Sequence, residues 1–354
     1  MNKKRALVCV LNWGLGHATR CMPVIEHLME AGFEVFIGSD GAALTFLKRE
    51  FATHTFFELP GYNISYPANG SMAFSMLLQS PKIISAIKKE NEAVKKIMEE
   101  NEISCIISDN RYGCYSEKIK SVFITHQLTI QAPAGAQFIV NKINSSGLKK
   151  FNEIWVPDVE GENNLSGDLS HNHILKSVYY TGVLSRFNKI SIVEEKKFRY
   201  KFMVLLSGPE PQRSILEKEL LKEAEQTGEA ILFVRGLVED KEHLTSSLTN
   251  ITFKSFLKGD ELAEAFAESE IVVCRSGYST IMDLAALNKK AVLIPTPGQT
   301  EQEYLADYFQ EKKIFLKNEQ DSLNLKEAAD SISLYSGVFL RNDFTHLKER
   351  ISSL

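Results

Sequence analysis

This chain of 354 residues is short of several things, and each shortage excludes a class of protein. Its five cysteines, Cys9, Cys21, Cys105, Cys114 and Cys274, are odd in number, scattered, and without C-x-x-C spacing. That excludes a disulfide framework and a zinc knuckle, and fits a reducing compartment. Neither charge is in excess: 41 Lys and Arg against 45 Asp and Glu leave a formal net charge of −4. A chain with so little basic character has no footprint for a polyanion, so nucleic acid is not expected as a partner. No apolar run approaches the roughly 18 residues of a membrane span. The opening MNKKRALVCVLNWG has a basic start, but its apolar run stops at Asn12 and leads into glycines. It reads as a strand and not as a signal peptide. Solenoid repeats and low-complexity tracts are missing as well.

What is present is a soluble, globular composition, 44% hydrophobic and 24% charged, in a chain long enough for two domains of roughly 150 to 180 residues. Short β-rich runs recur between helical stretches: RALVCVLN, FEVFIGS, HTFFEL, ISCIISD, SVFITH, EIWVPD and SVYYTG. Runs that are apolar almost throughout, separated by amphipathic helices, predict a parallel sheet covered on both faces. In the first helix Met22, Ile25, Leu28 and Met29 form the expected core stripe, with Gly32 as the stop. Residues 183–200, VLSRFNKISIVEEKKFRYK with its neighbours, read as a charged linker. A second series follows: FMVLLSG, EAILFVR, ITFKSF, EIVVCRSG, KAVLIPTPG and KIFLK. The fold class expected is α/β, two tandem Rossmann-like doubly wound domains facing a cleft. The boundaries are residues 1–185, residues 200–338, and a terminal helix in 339–354 that packs back on the first domain.

Ligands in such folds bind at the carboxyl ends of the strands, so the loops there carry the functional signal. The first loop is LNWGLGHATR. Gly14 and Gly16 let the backbone bend and approach a ligand, and the helix behind them favours an anion. A tight turn without a ligand uses the same glycines. A dinucleotide site would want a third glycine where Thr19 stands, although Asp40 could imitate its ribose-binding acid. In the second half, Ser207, Gly208 and Arg213 occupy the equivalent loop after the first strand. Two such loops facing one cleft suit the two sides of a pyrophosphate.

The stretch CRSGYSTIMDLAALNKKAVLIPTPGQTEQEYLAD, residues 274–307, is the most informative. A strand ends at Cys274, the loop Arg275-Ser276-Gly277 turns, and a helix begins with Ser279 and Thr280 as cap-like hydroxyls. Asp283, one turn in, reaches back to where a ribose diol is held, or serves as an ordinary acid near a helix start. Gln299, Thr300, Glu301, Gln302 and Glu303 then offer the mixed donors and acceptors that sugar hydroxyls need. A solvated helix start has the same composition.

Residues 252–307, with LSGPEPQRS before them, resemble the donor half of the GT-B glycosyltransferases, most closely the N-acetylglucosaminyltransferases of lipid II synthesis. The opening GLGHATR is similar to the G-x-G-H-x-x-R form of related bacterial and archaeal transferases. The resemblance implies a UDP-sugar donor, with Phe256 and Leu257 bordering the uracil and Arg275, Ser276 and Gly277 beneath the nucleotide. Ser207, Gly208 and Arg213 then surround the diphosphate, Asp283 holds the ribose where relatives carry glutamate, and Gln302 and Glu303 stand where a Gln-Gln pair reads the sugar. That Glu-for-Gln departure leaves the identity of the sugar open between an N-acetylhexosamine and a hexose.

Transfer from such a donor requires a base for the acceptor hydroxyl and positive dipoles for the leaving diphosphate. His17 is the first candidate base. SDNRYG and THQLTIQAP place Asp109, Arg111, His126 and Gln127 on the same rim, and His126 competes with His17. The family implies no metal and no cofactor beyond the donor. Its first domains choose the acceptor, here a small molecule, a glycan or a lipid-linked envelope precursor. Lys82, Lys88 and Lys89 beside apolar residues of 68–97 suit either a helix packed on its own domain or peripheral contact with the inner membrane from the cytoplasm. The expectation is an inverting, metal-independent UDP-sugar glycosyltransferase. A UDP-sugar 2-epimerase of the same fold and a non-catalytic sugar-nucleotide binder are the alternatives.

Overall fold

The computed structural model describes residues 3–62, 72–132, 135–189, 198–237, 249–340 and 343–354, without the side chains of 72–78 and 80. Of these, 3–62, 72–132, 135–185 and 343–354 form one compact unit, and 186–189, 198–237 and 249–340 form another. Every β-rich run of the sequence is a strand.

In the first unit these are β1 (Arg5–Val10), β2 (Glu34–Ser39), β3 (Thr55–Glu58), β4 (Cys105–Asp109), β5 (Lys120–Ile124), β6 (Glu153–Val156) and β7 (Val178–Tyr180). They form one seven-stranded sheet in the order β3-β2-β1-β4-β5-β6-β7, all parallel. Its helices are α1 (Leu15–Glu30), α2 (Gly41–Glu50), α3 (Met72–Asn101) and α4 (Gln137–Leu148). In the second unit β8 (Tyr200–Leu205), β9 (Ile231–Val234), β10 (Ile251–Lys254), β11 (Ser269–Cys274), β12 (Lys290–Leu293) and β13 (Leu316–Lys317) pair in the order β10-β9-β8-β11-β12-β13. Around them lie α5 (Gln212–Thr227), α6 (Gly259–Glu268), α7 (Tyr278–Ala286), α8 (Thr300–Glu311) and α9 (Leu325–Ser331). The last helix, α10 (Thr345–Ser352), groups with the first unit, where Phe344 at its start packs its ring 4.6 Å from that of His27.

The β runs are apolar on both faces because helices cover both sides, and the central residues Leu7, Val8, Ile106, Ile107, Val122 and Phe123 are wholly buried. Strand order reverses between β1 and β4 and again between β8 and β11. Those two switch points are where an open parallel sheet leaves a crevice at its carboxyl edge.

Several local expectations need correction. The core stripe of α1 is Cys21, Val24, Ile25 and Leu28, while Met22 is half-buried and Met29 is 44% exposed. Gly32 does end the helix, at φ +87°. No helix joins β4 to β5; residues 110–119 make the crossing in turns. The passage at 183–200 does not begin as a loose linker, since Val183, Leu184, Ser185 and Phe187 are each 1% exposed. Residues 190–197 lie outside the described residues. The terminal helix starts only at Thr345.

One buried cation ties the carboxyl edge of the first sheet together. Arg111, completely buried, donates from Nε to Glu90 at 2.5 Å, from Nη1 to Asp40 at 2.8 Å and to the Val10 carbonyl at 3.0 Å, and from Nη2 to the Pro60 carbonyl at 2.6 Å. It is a strap and not a rim group, so that expectation fails. Asp40 is committed too, because its second oxygen accepts from Asn12 at 3.1 Å. That occupation removes the acid a dinucleotide ribose would need. Arg111→Ala is expected to destabilise the first unit by about 3–5 kcal/mol, because it leaves the buried Glu90 carboxylate without its counter-ion, held only by Tyr62 and the Gly113 N–H. Urea unfolding followed by tryptophan fluorescence measures it, and a loss below about 1 kcal/mol would refute the strap.

Candidate functional site

At the first switch point the β1 loop meets the end of β4. Val10 and Asp109 are register partners, so the residues that follow Val10 rise beside the Asp109 carboxylate. Gly14 caps α1 at φ +80° and ψ 165°, a conformation that only glycine adopts without strain, and the space where its Cβ would point is open. The cap residue Gly14 has no side chain to bond the first turn of α1. A helix start of that kind suits an outside acceptor. Gly16 contributes its carbonyl to Thr19 Oγ1 at 3.1 Å.

His17 and Arg20, one turn apart on α1, both reach Asp109. Asp109 is fully buried, and its carboxylate accepts from Arg20 Nε at 2.5 Å and from Nη2 at 2.8 Å, a forked pair. Its other contact is His17 Nδ1 at 2.5 Å. Burial by itself would raise the Asp109 pKa, but Arg20 and then His17 outweigh it and hold the carboxyl well below the usual range. Asp109 is thus an anion at every working pH.

An ionised carboxylate can only accept, so the proton on His17 sits at Nδ1. Arg20 Nη2 lies 2.9 Å from the same nitrogen and cannot donate to it while it is protonated. What remains on the imidazole is an unprotonated Nε2. Burial, and then the Arg20 charge, lower the His17 pKa below 6.5, with Asp109 opposing in part. The ring is neutral at pH 7, held in one tautomer, and 15% exposed at its side chain.

His126 is 4% exposed, and its Nδ1 stands 3.3 Å from Arg20 Nη1. Of the rim expected from the sequence, Asp109 and His126 are buried beneath His17, and only Gln127 is half-buried. His17 is thus the more accessible of the two histidines. Arg20 was not singled out as a site residue from the sequence. Its i,i+3 spacing from His17 was the available signal.

At the second switch point two loops adjoin, since Leu205 of β8 and Cys274 of β11 are register partners. Ser207 and Gly208 are exposed, and Gly208 has φ +101° with open space over its Cβ position. Arg213, in contrast, is 7% exposed and already engaged by Glu210 at 2.7 Å and Glu217 at 3.1 Å. Arg235 pairs with the same Glu217 at 2.5 Å, so the four charges of this cluster cancel.

Arg275 is a different case. At 1% exposure it donates to the carbonyls of Ile294, Pro295 and Gln212 at 3.3, 3.0 and 2.9 Å, and to the Gln320 side chain at 2.6 Å. All four partners are neutral oxygens, and burial lowers its pKa to about 10. A cation therefore lies under the 275–277 loop without a counter-ion among these partners. Ser276 is also buried, with Oγ on the Gln302 carbonyl at 2.7 Å. The helix cap is Gly277, which has no side chain to bond the first turn, a helix start that suits an outside acceptor.

Asp283 is the sixth residue of α7, deeper than one turn, and 8% exposed. Arg186 Nε approaches it at 3.9 Å, is buried, and has no hydrogen-bond partner among the described residues. Arg186 falls in the stretch read as linker; its signal was the apolar frame VLSRF. Phe256 is half-buried and Leu257 buried, directly after β10. In the last loop the Gln302 side chain accepts from Thr296 N–H at 2.9 Å and Glu303 from Gly298 N–H at 2.8 Å, while Gln299 caps α8. Gln302 and Glu303 thus shape the loop with one oxygen each.

Comparison with known proteins finds glycosyltransferases in both halves of the chain. Residues 212–335 match the glycosyltransferase family 28 C-terminal domain, and residues 4–130 match glycosyl transferase family 1. Over 72 residues, the chain is 39% identical to the UDP-N-acetylglucosamine--N-acetylmuramyl-(pentapeptide) pyrophosphoryl-undecaprenol N-acetylglucosamine transferase of Histophilus somni, which covers 20% of this chain and 19% of that one. The match thus spans about a fifth of that relative's length. An uncharacterized glycosyltransferase of Methanosarcina acetivorans is 23% identical over 84% of this chain and 79% of its own. The crystal structure of Acinetobacter baumannii MurG superposes with a TM-score of 0.61 at 11% identity, covering 99% of this chain and 100% of that chain, and shows the fold to be the same.

The strap role of Arg275 yields a stability test. Arg275→Ala orphans three buried carbonyls at about 1–3 kcal/mol each before relaxation, so the second unit is expected to melt several degrees lower. Arg275→Lys should recover little of the loss, because an ammonium cannot fork to four oxygens. Full recovery in calorimetric scans would contradict the assignment.

Proposed function

We propose that this chain, whose two halves match glycosyltransferase family models and whose fold is GT-B, is an inverting, metal-independent transferase that moves a hexose or N-acetylhexosamine from a UDP-sugar to a hydroxyl acceptor. The observation that carries the reading is the His17 ring, fixed by Asp109 with a neutral Nε2 directed away from the carboxylate. In the step, Nε2 takes the acceptor hydroxyl proton while that oxygen bonds to C1 of the sugar. The C1–O bond to the diphosphate breaks on the opposite side, and its electron pair leaves on UDP. Asp109 stabilises the imidazolium that forms without itself being protonated.

In the second unit, the open Gly208 turn, the buried Arg275 charge and the glycine-capped start of α7 support binding of the diphosphate. Phe256 and Leu257 border the base, Asp283 holds the ribose, and Gln302 and Glu303 read the sugar through their remaining polar atoms. No further cofactor enters the step. The acceptor belongs to the glycan or lipid-linked envelope precursors, which places the protein in the cytoplasm or on the inner face of the membrane.

His17→Ala is expected to lower kcat by about 10²–10⁴ with little change in UDP affinity. Asp283→Ala should leave the base intact and weaken UDP binding roughly 10- to 100-fold in calorimetry, the loss of one to two hydrogen bonds to a charged group. Unaltered UDP affinity in the second variant would refute the donor assignment. So would a thermal-shift preference for NAD over UDP.

The pH profile has a defined sign. A base works when unprotonated, and the His17 pKa is lowered from 6.5, so kcat/KM should be flat through neutrality and fall only on the acid side, with its midpoint below pH 6.5. An acid limb centred at or above pH 7 would remove His17 from the role.

A further inference from the structure

The loop before α1 carries an exposed indole. Of the two tryptophans in the chain, Trp155 is wholly buried and its Nε1 donates to Glu153 at 2.9 Å, whereas Trp13 is 39% exposed. A single exposed apolar side chain is ordinary. What sets Trp13 apart is how it is held and what it is held beside. Leu11 N–H donates to the Asp109 carbonyl at 3.1 Å, and His17 reaches the Asp109 carboxylate at 2.5 Å, so the chain on either side of Trp13 is fastened to one residue. Asn12, its neighbour, donates to Asp40 at 3.1 Å and accepts from Ala43 N–H at 3.2 Å, and Gly14 turns at φ +80°. Trp13 therefore stands on pinned backbone four residues before the imidazole, a separation that even fully extended chain keeps to about 14 Å. A large side chain on fixed backbone loses little freedom when a ligand arrives.

The surroundings narrow the class of ligand. Open space lies over Gly14. Just past the carboxyl ends of β4 and β5 stand two half-buried amides, Gln127 and Asn110, the latter at φ +52° directly after Asp109. A pyranose matches this mixture: its face of C–H groups lies flat on an indole, and its rim of hydroxyls both donates and accepts, as primary amides do. An alkyl chain would cover the indole but strip water from the amides without replacing those hydrogen bonds. A free phosphate would make no use of the ring.

We propose that Trp13 is an acceptor-binding residue, whose indole carries the apolar face of a pyranose ring and so sets a hydroxyl of that ring against His17 Nε2. The acceptor is then a sugar-bearing molecule recognised through its ring, and Trp13 takes part in choosing it. The inference rests on His17 as the base of the transferase reading and deepens it by naming the acceptor class. Its test needs neither donor nor turnover.

Because Trp155 is sealed in the core, acrylamide quenching of fluorescence in the full chain reports Trp13. The probes are the methyl glycosides of glucose, galactose, mannose and N-acetylglucosamine, with sorbitol as a polyol that has hydroxyls but no ring. At least one glycoside, at about 0.1 M, is expected to slow the quenching at least about twofold, and sorbitol is not. Saturation-transfer NMR should place the contact on the ring C–H protons of that glycoside. Trp13→Ala should weaken the signal at least about fivefold and Trp13→Phe should keep most of it, both at the wild-type melting temperature, since the side chain is exposed. Protection by none of these glycosides would overturn the proposal, as would equal protection by sorbitol or an undiminished signal in Trp13→Ala. Saturation of octyl glucoside on its alkyl chain alone would give the indole to an apolar tail and overturn it too. An acid limb that removes His17 as the base, with glycoside protection intact, would strike the transferase reading and leave Trp13 as a sugar-binding residue.

Discussion

A buried carboxylate organises the first unit. Asp109 has no solvent to stabilise its charge, so its cost is met by the forked guanidinium of Arg20 and by the His17 N–H. Those partners fix the position of the first turn of α1, and through it the glycine turn at Gly14. They also decide the chemistry, because an acceptor-only neighbour at Nδ1 leaves the lone pair of His17 on the far nitrogen. Removing the carboxylate would change the tautomer, the turn and the charge balance together.

The two units apply one geometrical rule to different ends. Each is a parallel sheet whose strand order reverses once at its centre, and at each reversal two adjacent strand ends diverge and leave loops free to carry function. In the first unit the divergence is filled by an ionised network that includes the imidazole of His17. In the second it is lined by a positive-φ glycine, a glycine cap and one buried arginine balanced only by neutral oxygens.

Three arginines that look interchangeable in the sequence have separate work. Arg111 straps strand ends together through two carboxylates and two carbonyls. Arg213 is cancelled by Glu210 and Glu217, so it holds the α5 start rather than offering free charge. Arg275 alone of the three meets only neutral oxygens in these bonds and so contributes net potential beneath its loop. Burial distinguishes none of them; the identity of the partners does.

Strand positions, the two parallel sheets and the glycine turns were legible in the chain, because all rest on local pattern: apolar runs that both sheet faces bury, and glycines where a turn needs positive φ. His17, Asp109 and His126 were legible as polar residues at strand ends, but not as a stack in which Asp109 is innermost. The 92 residues between His17 and Asp109 are closed only by the pairing of β1 with β4, and periodicity carries no record of which strand lies next to which. For the same reason Asp40 looked available until Arg111 took it, and Arg186 looked like linker until it stood beside Asp283. Composition and pattern determined the architecture. The tertiary structure decided which charges meet, because pairing across long sequence separations is settled by strand order and burial and not by any neighbour in the chain.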